Sequence, residues 1–127
     1  MRPATSPRTF ALVVEDDPEV RSLAAAMLEE TDLDVVEVES AEAALAFLDR
    51  HGAEVALIFA DVWLSGAIDG VELARIVQRR WPTVRVVVTS GNPGERLQDL
   101  PRGAAFLQKP WRALDVLVAA EKAAAHL

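Results

Sequence analysis

The amino-acid sequence predicts an α/β fold, a three-layer, doubly wound (βα)5 parallel sheet. Apolar, β-branched-rich runs recur along the chain, and amphipathic helical periods separate them. Polar or charged residues follow most of these runs. Nearly continuous apolar strands are typical of parallel sheets that helices cover on both faces. The alternation predicts right-handed crossovers and places any ligand site beyond the carboxyl ends of the strands.

Each element has its own pattern. The predicted strands are residues 10–14, 34–38, 55–60, 84–88 and 104–108. Apolar and polar residues alternate in 34–38, as is typical of an edge strand, and 104–108 has the weakest strand pattern. The predicted helices carry apolar residues three and four positions apart, at Val20, Leu23, Ala24, Met27 and Leu28, at Ala41, Ala44, Leu45 and Leu48, at Leu73, Ile76, Val77 and Trp81, and at Leu114, Leu117 and Val118. Residues 92–103 are rich in proline and glycine and predict only a short helix around 95–100.

Helix boundaries follow from capping residues. Asp17 before Pro18 predicts an N-cap with proline at the first helical position. Ser40 predicts the N-cap of the second helix, and Pro82 ends the third. Asp17 is therefore expected to cap a helix and to point away from any metal.

Length and composition limit the function classes. The 127 residues fit one domain, expected at 9–127 after a disordered tail at 1–8. The sequence has no cysteine, which excludes disulfides, thiolate metal sites and a cysteine nucleophile. A net charge of −7 argues against nucleic-acid binding. No apolar stretch approaches the roughly 20 residues of a membrane span, and we expect a cytoplasmic protein.

Polar side chains at the predicted strand ends carry the chemistry. Glu15 and Asp16 follow the first strand, Asp61 the third, Ser90 the fourth and Lys109 the fifth. Clustered carboxylates with few other ligands favour Mg²⁺. A lysine and a hydroxyl opposite the metal suit a phosphoryl group, and a carboxylate can itself be the nucleophile that forms an acyl phosphate.

The segments LVVEDDP, FADVW, IDG, VVVTSG and FLQKP occur in the order and spacing of response regulator receiver domains. The chain resembles this family of two-component signalling proteins over about residues 9–125. The resemblance implies a flavodoxin-like strand order, 2-1-3-4-5. It also implies a phosphoacceptor protein that catalyses its own phosphoryl transfer and autodephosphorylation and is not otherwise an enzyme.

The resemblance also implies roles for acidic residues. Asp61 resembles the aspartate that accepts a phosphoryl group from a phosphohistidine. Asp16 resembles the acid that binds Mg²⁺ directly, and Glu15 the one that acts through water. The main-chain carbonyl of Trp63 would complete the protein's metal ligands, together with Asp61.

Further roles concern the fourth and fifth strands. Ser90 resembles the hydroxyl that bonds the phosphoryl group, although Thr89 competes for this role and Gly91 after Ser90 favours Ser90. Lys109 resembles the lysine that pairs with the aspartate and the phosphate, and Lys109–Pro110 is expected to be cis. Ser90 and Phe106 occupy the switch positions, where Phe106 lacks the hydroxyl of the commoner tyrosine.

The resemblance names partners by class. A sensor histidine kinase or a histidine phosphotransfer protein would supply the phosphoryl group. With no output domain in the chain, output is expected through contact with a downstream protein. Neither nucleic acid nor membrane is an expected partner, and the chain is expected to be a monomer or a weak dimer. The expected signalling surface joins the fourth helical segment, the fifth strand and the last helix.

Three alternatives to a phosphorylated receiver remain. One is a receiver-like scaffold that is never phosphorylated, and another is a Mg²⁺-dependent phosphatase with an aspartyl nucleophile. Such phosphatases usually place a second acid two residues on, where this chain has Trp63. A flavin or nucleotide binder is the third, but no glycine-rich phosphate loop follows the first strand.

Several aromatic residues and the histidines receive weaker interpretations. Trp63 is either a half-buried loop residue or a screen that protects an acyl phosphate from water. Trp111 is either a core or an interface residue. Phe47 and Trp81 are predicted to be packing residues. His51 and His126 are predicted to be surface residues without a role.

Overall fold

The computed structural model describes residues 10–92 and 94–124. Five parallel strands form one sheet in the order β2-β1-β3-β4-β5. Their bounds are β1 Phe10–Val14, β2 Asp34–Val38, β3 Val55–Asp61, β4 Arg85–Ser90 and β5 Ala105–Gln108. The predicted fold class and strand order are confirmed. The predicted tail at 1–8 and His126 lie outside the described residues.

Helices connect the strands. The α-helices are α1 Pro18–Leu28, α2 Ala41–His51, α3 Gly70–Arg80 and α4 Ala113–Ala124, and a short 3-10 helix, η1, spans Gly52–Glu54. The segment between β4 and β5 holds a second 3-10 helix, η2, over Gly94–Asp99. Four strong helical periods of the sequence are thus α-helices, whereas the weak one forms only the tighter 3-10 turn.

Two strands extend further than the sequence predicts. β3 includes Asp61, and β4 continues through Thr89 and Ser90, which we expected to follow the strand. The backbone remains paired there because Thr89 lies opposite Asp61 on β3 and Ser90 lies opposite Gln108 on β5. Alternation along a strand makes Thr89 and Ser90 point to opposite faces of the sheet.

The core lies on both faces of the sheet. α2 and α3 bury their apolar residues against one face, which includes Leu12, Ile58 and Val88. α1 and α4 cover the other face, which includes Val13 and Phe59. Both faces of β1 and β3 are therefore dry, as their continuous apolar sequence predicts. In residues 10–92 and 94–124, no helix has the length and apolar character that crossing a membrane would require.

Helix starts and one glycine fix the loops at the carboxyl edge of the sheet. Asp17 caps α1 by accepting the Glu19 N–H at 2.9 Å, and Pro18 is the first helical residue, as predicted. Asp69 caps α3 by accepting the Glu72 N–H at 2.9 Å. Gly70 begins α3 so close to β3 that a Cβ atom there would lie 2.0 Å from the Asp61 carbonyl oxygen. This close approach explains the glycine of the IDG segment.

Candidate functional site

Four polar or charged residues are buried among those that the structure describes, and all lie at the carboxyl edge of the sheet. They are Glu15, Asp61, Thr89 and Ser90, at 2–8% exposure. Buried polar groups away from water are costly unless they are paired. Their concentration at one edge identifies this edge as the candidate site.

Three carboxyl groups meet at the site. One oxygen each from Glu15, Asp16 and Asp61 lie within 4.8 Å of one another, and we call these residues the acid cluster. The Glu15 N–H donates to the Val38 carbonyl at 3.1 Å and so extends the pairing of β1 with β2. The sheet thereby fixes Glu15 and Asp61, whereas Asp16 is exposed at the mouth.

Lys109 joins the acid cluster from the fifth strand. Its Nζ donates to Glu15 Oε1 at 3.0 Å and to Asp61 Oδ2 at 3.2 Å. Its backbone N–H donates to the Ser90 carbonyl at 3.1 Å, which extends the pairing of β4 with β5. The Lys109–Pro110 peptide is cis, as expected. A lysine 94 residues from Glu15 in sequence thus completes the same site.

Backbone N–H groups of the β3–α3 loop and of Asp17 bind further carboxylate oxygens of the acid cluster. The Trp63 N–H donates to Asp61 Oδ1 at 3.2 Å, and the Ser65 N–H donates to Asp16 Oδ2 at 3.1 Å. The Asp17 N–H donates to Glu15 Oε2 at 3.2 Å, whereas the Asp17 carboxylate caps α1. Asp17 therefore lies beside the acid cluster without belonging to it, as predicted.

The charge state of the site reflects burial and pairing. Burial raises the pKa of Glu15 to about 7, and Asp61 adds to the rise, although hydrogen bonds from Lys109 and Asp17 oppose it. Burial also disfavours the Lys109 ammonium, but its hydrogen bonds to Glu15 and Asp61 together raise the pKa of Lys109. Burial disfavours the Asp16 carboxylate, yet hydrogen bonds from Glu15 and Ser65 lower the pKa of Asp16.

Trp63 lies two residues after Asp61 and extends toward the segment that follows β4. Its indole Nε1 donates to the Asn92 carbonyl at 2.7 Å, so the ring connects the β3–α3 loop to the segment that follows β4. The residue is 50% exposed. Ser90 Oγ accepts the Asn92 N–H at 3.0 Å. Asn92 is thus held by both Trp63 and Ser90.

Other predicted residues lie further out. Phe106 is half-buried in β5 and lines a groove with Leu114 and Val118 of α4. Phe47 and Trp81 pack against the core beneath α2 and α3, which confirms their predicted packing role. The His51 Nδ1 atom lies 3.1 Å from Glu54 Oε1, within hydrogen-bonding distance, at the opposite end of the sheet from the acid cluster.

Two contacts near the site have no signal in the sequence. Trp111, which we could assign only to core or interface, donates its indole N–H to the Thr89 hydroxyl. Arg96 of η2 pairs with Asp69, the N-cap of α3, through two hydrogen bonds at 2.9 and 3.1 Å. Neither pair has a spacing that predicts it, because each joins residues more than 20 positions apart.

The sequence profile of the response regulator receiver domain family matches residues 11–121. The chain belongs to the response regulator receiver family. This receiver domain is 36% identical over 116 residues to the nitrogen assimilation regulatory protein NtrX of Azorhizobium caulinodans, which covers 88% of this chain and 25% of that protein. It is 37% identical over 97 residues to the transcriptional regulatory protein AruR of Pseudomonas aeruginosa, covering 73% of this chain and 39% of that protein.

Solved structures of receiver domains have the same fold as this chain. The receiver domain of NtrX from Brucella abortus superimposes with a TM-score of 0.78 at 32% identity, over 89% of this chain and 96% of that one. A signal receiver domain of an HD domain-containing protein from Pseudomonas fluorescens Pf-5 reaches a TM-score of 0.82 over 94% of this chain and 96% of that one, and at 21% identity it supports the fold alone. The chain spans a quarter of the Azorhizobium protein, so the activity of such a longer regulator is a separate question.

Membership of this family has chemical consequences. Receiver domains are the phosphoacceptors of two-component systems, and their partners include histidine kinases. They generally bind Mg²⁺ at an acidic pocket. The acid cluster of Glu15, Asp16 and Asp61 fits that requirement, because carboxylate oxygens are the ligands that Mg²⁺ prefers.

Proposed function

We propose that this receiver domain accepts a phosphoryl group on Asp61 from a phosphohistidine of a sensor histidine kinase or of a histidine phosphotransfer protein. The observation that carries the proposal is the double contact of the Lys109 ammonium with Glu15 and Asp61. It places a fixed cation beside the carboxylate of Asp61, whose side chain is 11% exposed. Asp16 and the Trp63 carbonyl are the proposed further ligands of Mg²⁺, with Glu15 acting through water.

The proposed transfer exchanges the phosphorus–nitrogen bond of phosphohistidine for a phosphorus–oxygen bond to Asp61. A carboxylate oxygen of Asp61 attacks phosphorus, the phosphorus–nitrogen bond of the phosphohistidine breaks, and the histidine nitrogen keeps the electron pair. Lys109 and Ser90 then face the oxygens of the acyl phosphate, where an ammonium and a hydroxyl donor stabilise negative charge. Bound Mg²⁺ would supply further positive charge to the same oxygens. Water later attacks phosphorus, which releases inorganic phosphate and restores the Asp61 carboxylate.

Ser90 is the proposed hydroxyl donor. Its Oγ accepts the Asn92 N–H, so its own proton remains to be donated. The Thr89 hydroxyl, by contrast, already accepts the Trp111 indole N–H, beside Phe59 and Asp61. Movement of Ser90 toward the phosphoryl group would pull Asn92 and the start of η2. Phe106 is the second proposed switch residue, on the neighbouring strand.

The proposed output is contact with another protein. η2, β5 and α4 form the surface that would change when Ser90 and Phe106 move. Exposed apolar side chains lie there, including Leu114 at 70% and Leu97 at 40% exposure. A weak dimer through this surface and a monomer are both consistent with the proposal, as is a cytoplasmic location. Neither nucleic acid nor membrane is a proposed partner of the domain.

Intact mass spectrometry after incubation with acetyl phosphate and Mg²⁺ tests the proposal. The wild-type protein should gain one phosphoryl group, and Asp61→Asn should gain none. Asp32→Asn is the matched control, because Asp32 is an exposed acid in the turn between α1 and β2 and should leave labelling unchanged. Labelling of Asp61→Asn at the wild-type rate would refute the proposed acceptor.

Two alternatives correspond to other outcomes of this experiment. A wild-type protein that gains no phosphoryl group from acetyl phosphate or from a kinase would be a receiver-like scaffold. Turnover of a phosphate monoester at catalytic protein concentration would indicate an aspartyl phosphatase. Trp63 stands two residues after Asp61, where such a phosphatase usually has its second acid, which argues against that activity.

A further inference from the structure

Trp111 lies beside the acid cluster but has no role in the proposed phosphoryl transfer. Its indole Nε1 donates to Thr89 Oγ1, on the strand next to Asp61. The Lys109 Nζ lies 5.6 Å from the centre of the indole ring. The Phe59 ring meets the indole edge to face, with centroids 5.1 Å apart and an angle of 69°. One indole therefore contacts the lysine of the site and two strands of the sheet.

We infer that Trp111 is a positioning residue that holds the Lys109 ammonium against Glu15 and Asp61, an inference that rests on the proposed function. A lysine side chain is a flexible four-carbon stem that ends in a compact charge, so its ammonium can take many positions. An ammonium within about 6 Å of an indole centroid is attracted by the negative face of the ring. The ring and the carboxylates thus restrict Lys109 from two directions.

The indole can act in this way because its own orientation is fixed. The hydrogen bond to Thr89 restrains one edge of the ring, and Phe59 restrains its rotation by edge-to-face packing. A phenylalanine at the same position would keep an aromatic face but would have no N–H to donate. The Thr89 hydroxyl would then lose its partner while it remains buried at 2% exposure.

Trp111 also excludes water from one side of the acid cluster. The space between Val13, Phe59, Trp111, Glu15 and Asp61 is too small to hold a water molecule. Charges attract one another more strongly where water is absent. The Glu15 and Asp61 side chains, at 6% and 11% exposure, therefore attract the Lys109 ammonium more strongly than carboxylates on the surface would.

The two lysines of the sequence make the inference directly measurable. Lys109 and Lys122 are the only lysines in the chain, so lysine labelled with ¹³C and ¹⁵N should give two sets of side-chain NMR signals. The indole ring current should separate the ε-methylene signal of Lys109 from that of Lys122. Trp111→Phe should move the Lys109 signals toward those of Lys122, which serve as an internal reference on the exposed side of α4.

A second variant separates positioning from loss of fold. Thr89→Val keeps the shape of the side chain and removes the hydrogen-bond acceptor, so it should displace the Lys109 signals in the same direction. Trp81→Phe is the matched control, because Trp81 also lies under a cation, with Arg80 4.3 Å from its ring centre, but outside the site. It should leave both lysines unchanged.

Phosphorylation kinetics test whether the position of Lys109 matters. Trp111→Phe should slow labelling by acetyl phosphate about two- to tenfold, the range that one cation–π contact supports. Its affinity for Mg²⁺, measured by calorimetry, should not decrease, whereas a general collapse of the site would weaken it. In a Lys109→Ala background, adding Trp111→Phe should cause no further slowing.

Two results would overturn the inference. One is a Lys109 signal that stays in place in both Trp111→Phe and Thr89→Val. The other is a slowing by Trp111→Phe that is as large without Lys109 as with it. If wild-type protein takes up no phosphoryl group at all, the proposed function fails, and the lysine signals still decide whether Trp111 positions Lys109.

Discussion

Glu15 is a buried carboxyl group beside two other acids, and its charge depends on pH within the physiological range. Its side chain is 6% exposed, and burial raises its pKa from 4.5 to about 7. At pH values between 4.5 and about 7, Glu15 of the folded protein holds a proton that it has released in the unfolded chain. The unfolding free energy must therefore fall as pH rises through this range.

The first prediction is that Glu15→Gln removes this pH dependence. In Mg²⁺-free buffer, the wild-type unfolding free energy should fall by on the order of 2 kcal/mol between about pH 4.5 and pH 7. Glutamine cannot release the proton, so Glu15→Gln should be more stable than wild type at pH 8. Urea unfolding at a series of pH values measures the difference. Glu39→Gln, an exposed acid, is the control, and an identical profile for wild type and Glu15→Gln would contradict the prediction.

Trp63 gives a prediction about the lifetime of the acyl phosphate. Its backbone N–H binds Asp61, and its indole is fixed by the Asn92 carbonyl. If the ring limits the approach of the hydrolytic water, Trp63→Ala should shorten the lifetime of the phosphorylated protein severalfold. Trp63→Phe keeps part of the cover and should fall between the two. Decay of the phosphorylated mass with time is the measurement, and equal lifetimes would show that Trp63 only fills the loop.

The sequence predicted which residue types gather at the site but not how they contact one another. Glu15, Asp61 and Lys109 were placed at strand ends by pattern alone, and parallel strands bring such ends to one edge. The burial of Glu15 and the double contact of Lys109 were not predictable, because they depend on side-chain packing between distant segments. The contact of Trp111 is unpredictable for the same reason, since its partner Thr89 is 22 residues away.

At the scale of elements, η2 is the part of the fold that the sequence described least well. The predicted short helix exists, but as a 3-10 turn over Gly94–Asp99. Gly94 has a φ of +59°, a left-handed conformation that glycine adopts without strain, and Pro101 stops any continuation. With few apolar residues of its own, η2 depends on side-chain contacts to stay in place.

The next prediction is that Arg96 anchors η2 to α3. Arg96 pairs with both oxygens of Asp69, and their side chains are 28% and 23% exposed. A two-bond pair of this kind is stronger than a single exposed ion pair. Arg96→Ala should lower the unfolding free energy by about 1 kcal/mol and should speed hydrogen exchange in 94–100. Asp69→Asn keeps an N-cap residue for α3 and should have a similar effect on η2.

A surface ion pair gives the control for Arg96. Arg80 binds Asp49 at 2.9 Å, but both side chains are about half exposed, at 51% and 57%. Arg80→Ala should change stability by only a few tenths of a kcal/mol and leave exchange in η2 unchanged. Equal effects of Arg80→Ala and Arg96→Ala on η2 would remove the special role of Arg96. Additive effects of Arg96→Ala and Asp69→Asn would show that the two residues do not act as a pair.

For the whole molecule, the acid cluster adds local repulsion to a chain that already carries a net charge of −7. The three carboxyl groups follow β1 and end β3, while Lys109 follows β5, so one site connects three strands of the sheet. A divalent cation in the acid cluster would therefore stabilise the folded chain as a whole. Any salt would also stabilise an acidic protein by screening its charge. These two effects must be separated before a rise in stability counts as binding.

Comparison at equal ionic strength separates them. Adding MgCl2 should raise the unfolding free energy by about 1.4 kcal/mol when free Mg²⁺ is ten times its dissociation constant, and KCl of the same ionic strength should give much less. Asp16→Asn should abolish the excess due to Mg²⁺, because it removes an exposed ligand without breaking the contact between Lys109 and Asp61. Asp32→Asn makes the net charge less negative by the same one unit, and it should keep the extra stabilisation by Mg²⁺. The measurement is the free energy of unfolding in urea. Equal responses of the two variants to Mg²⁺ would show that the cation acts on the overall charge of the protein rather than at the acid cluster.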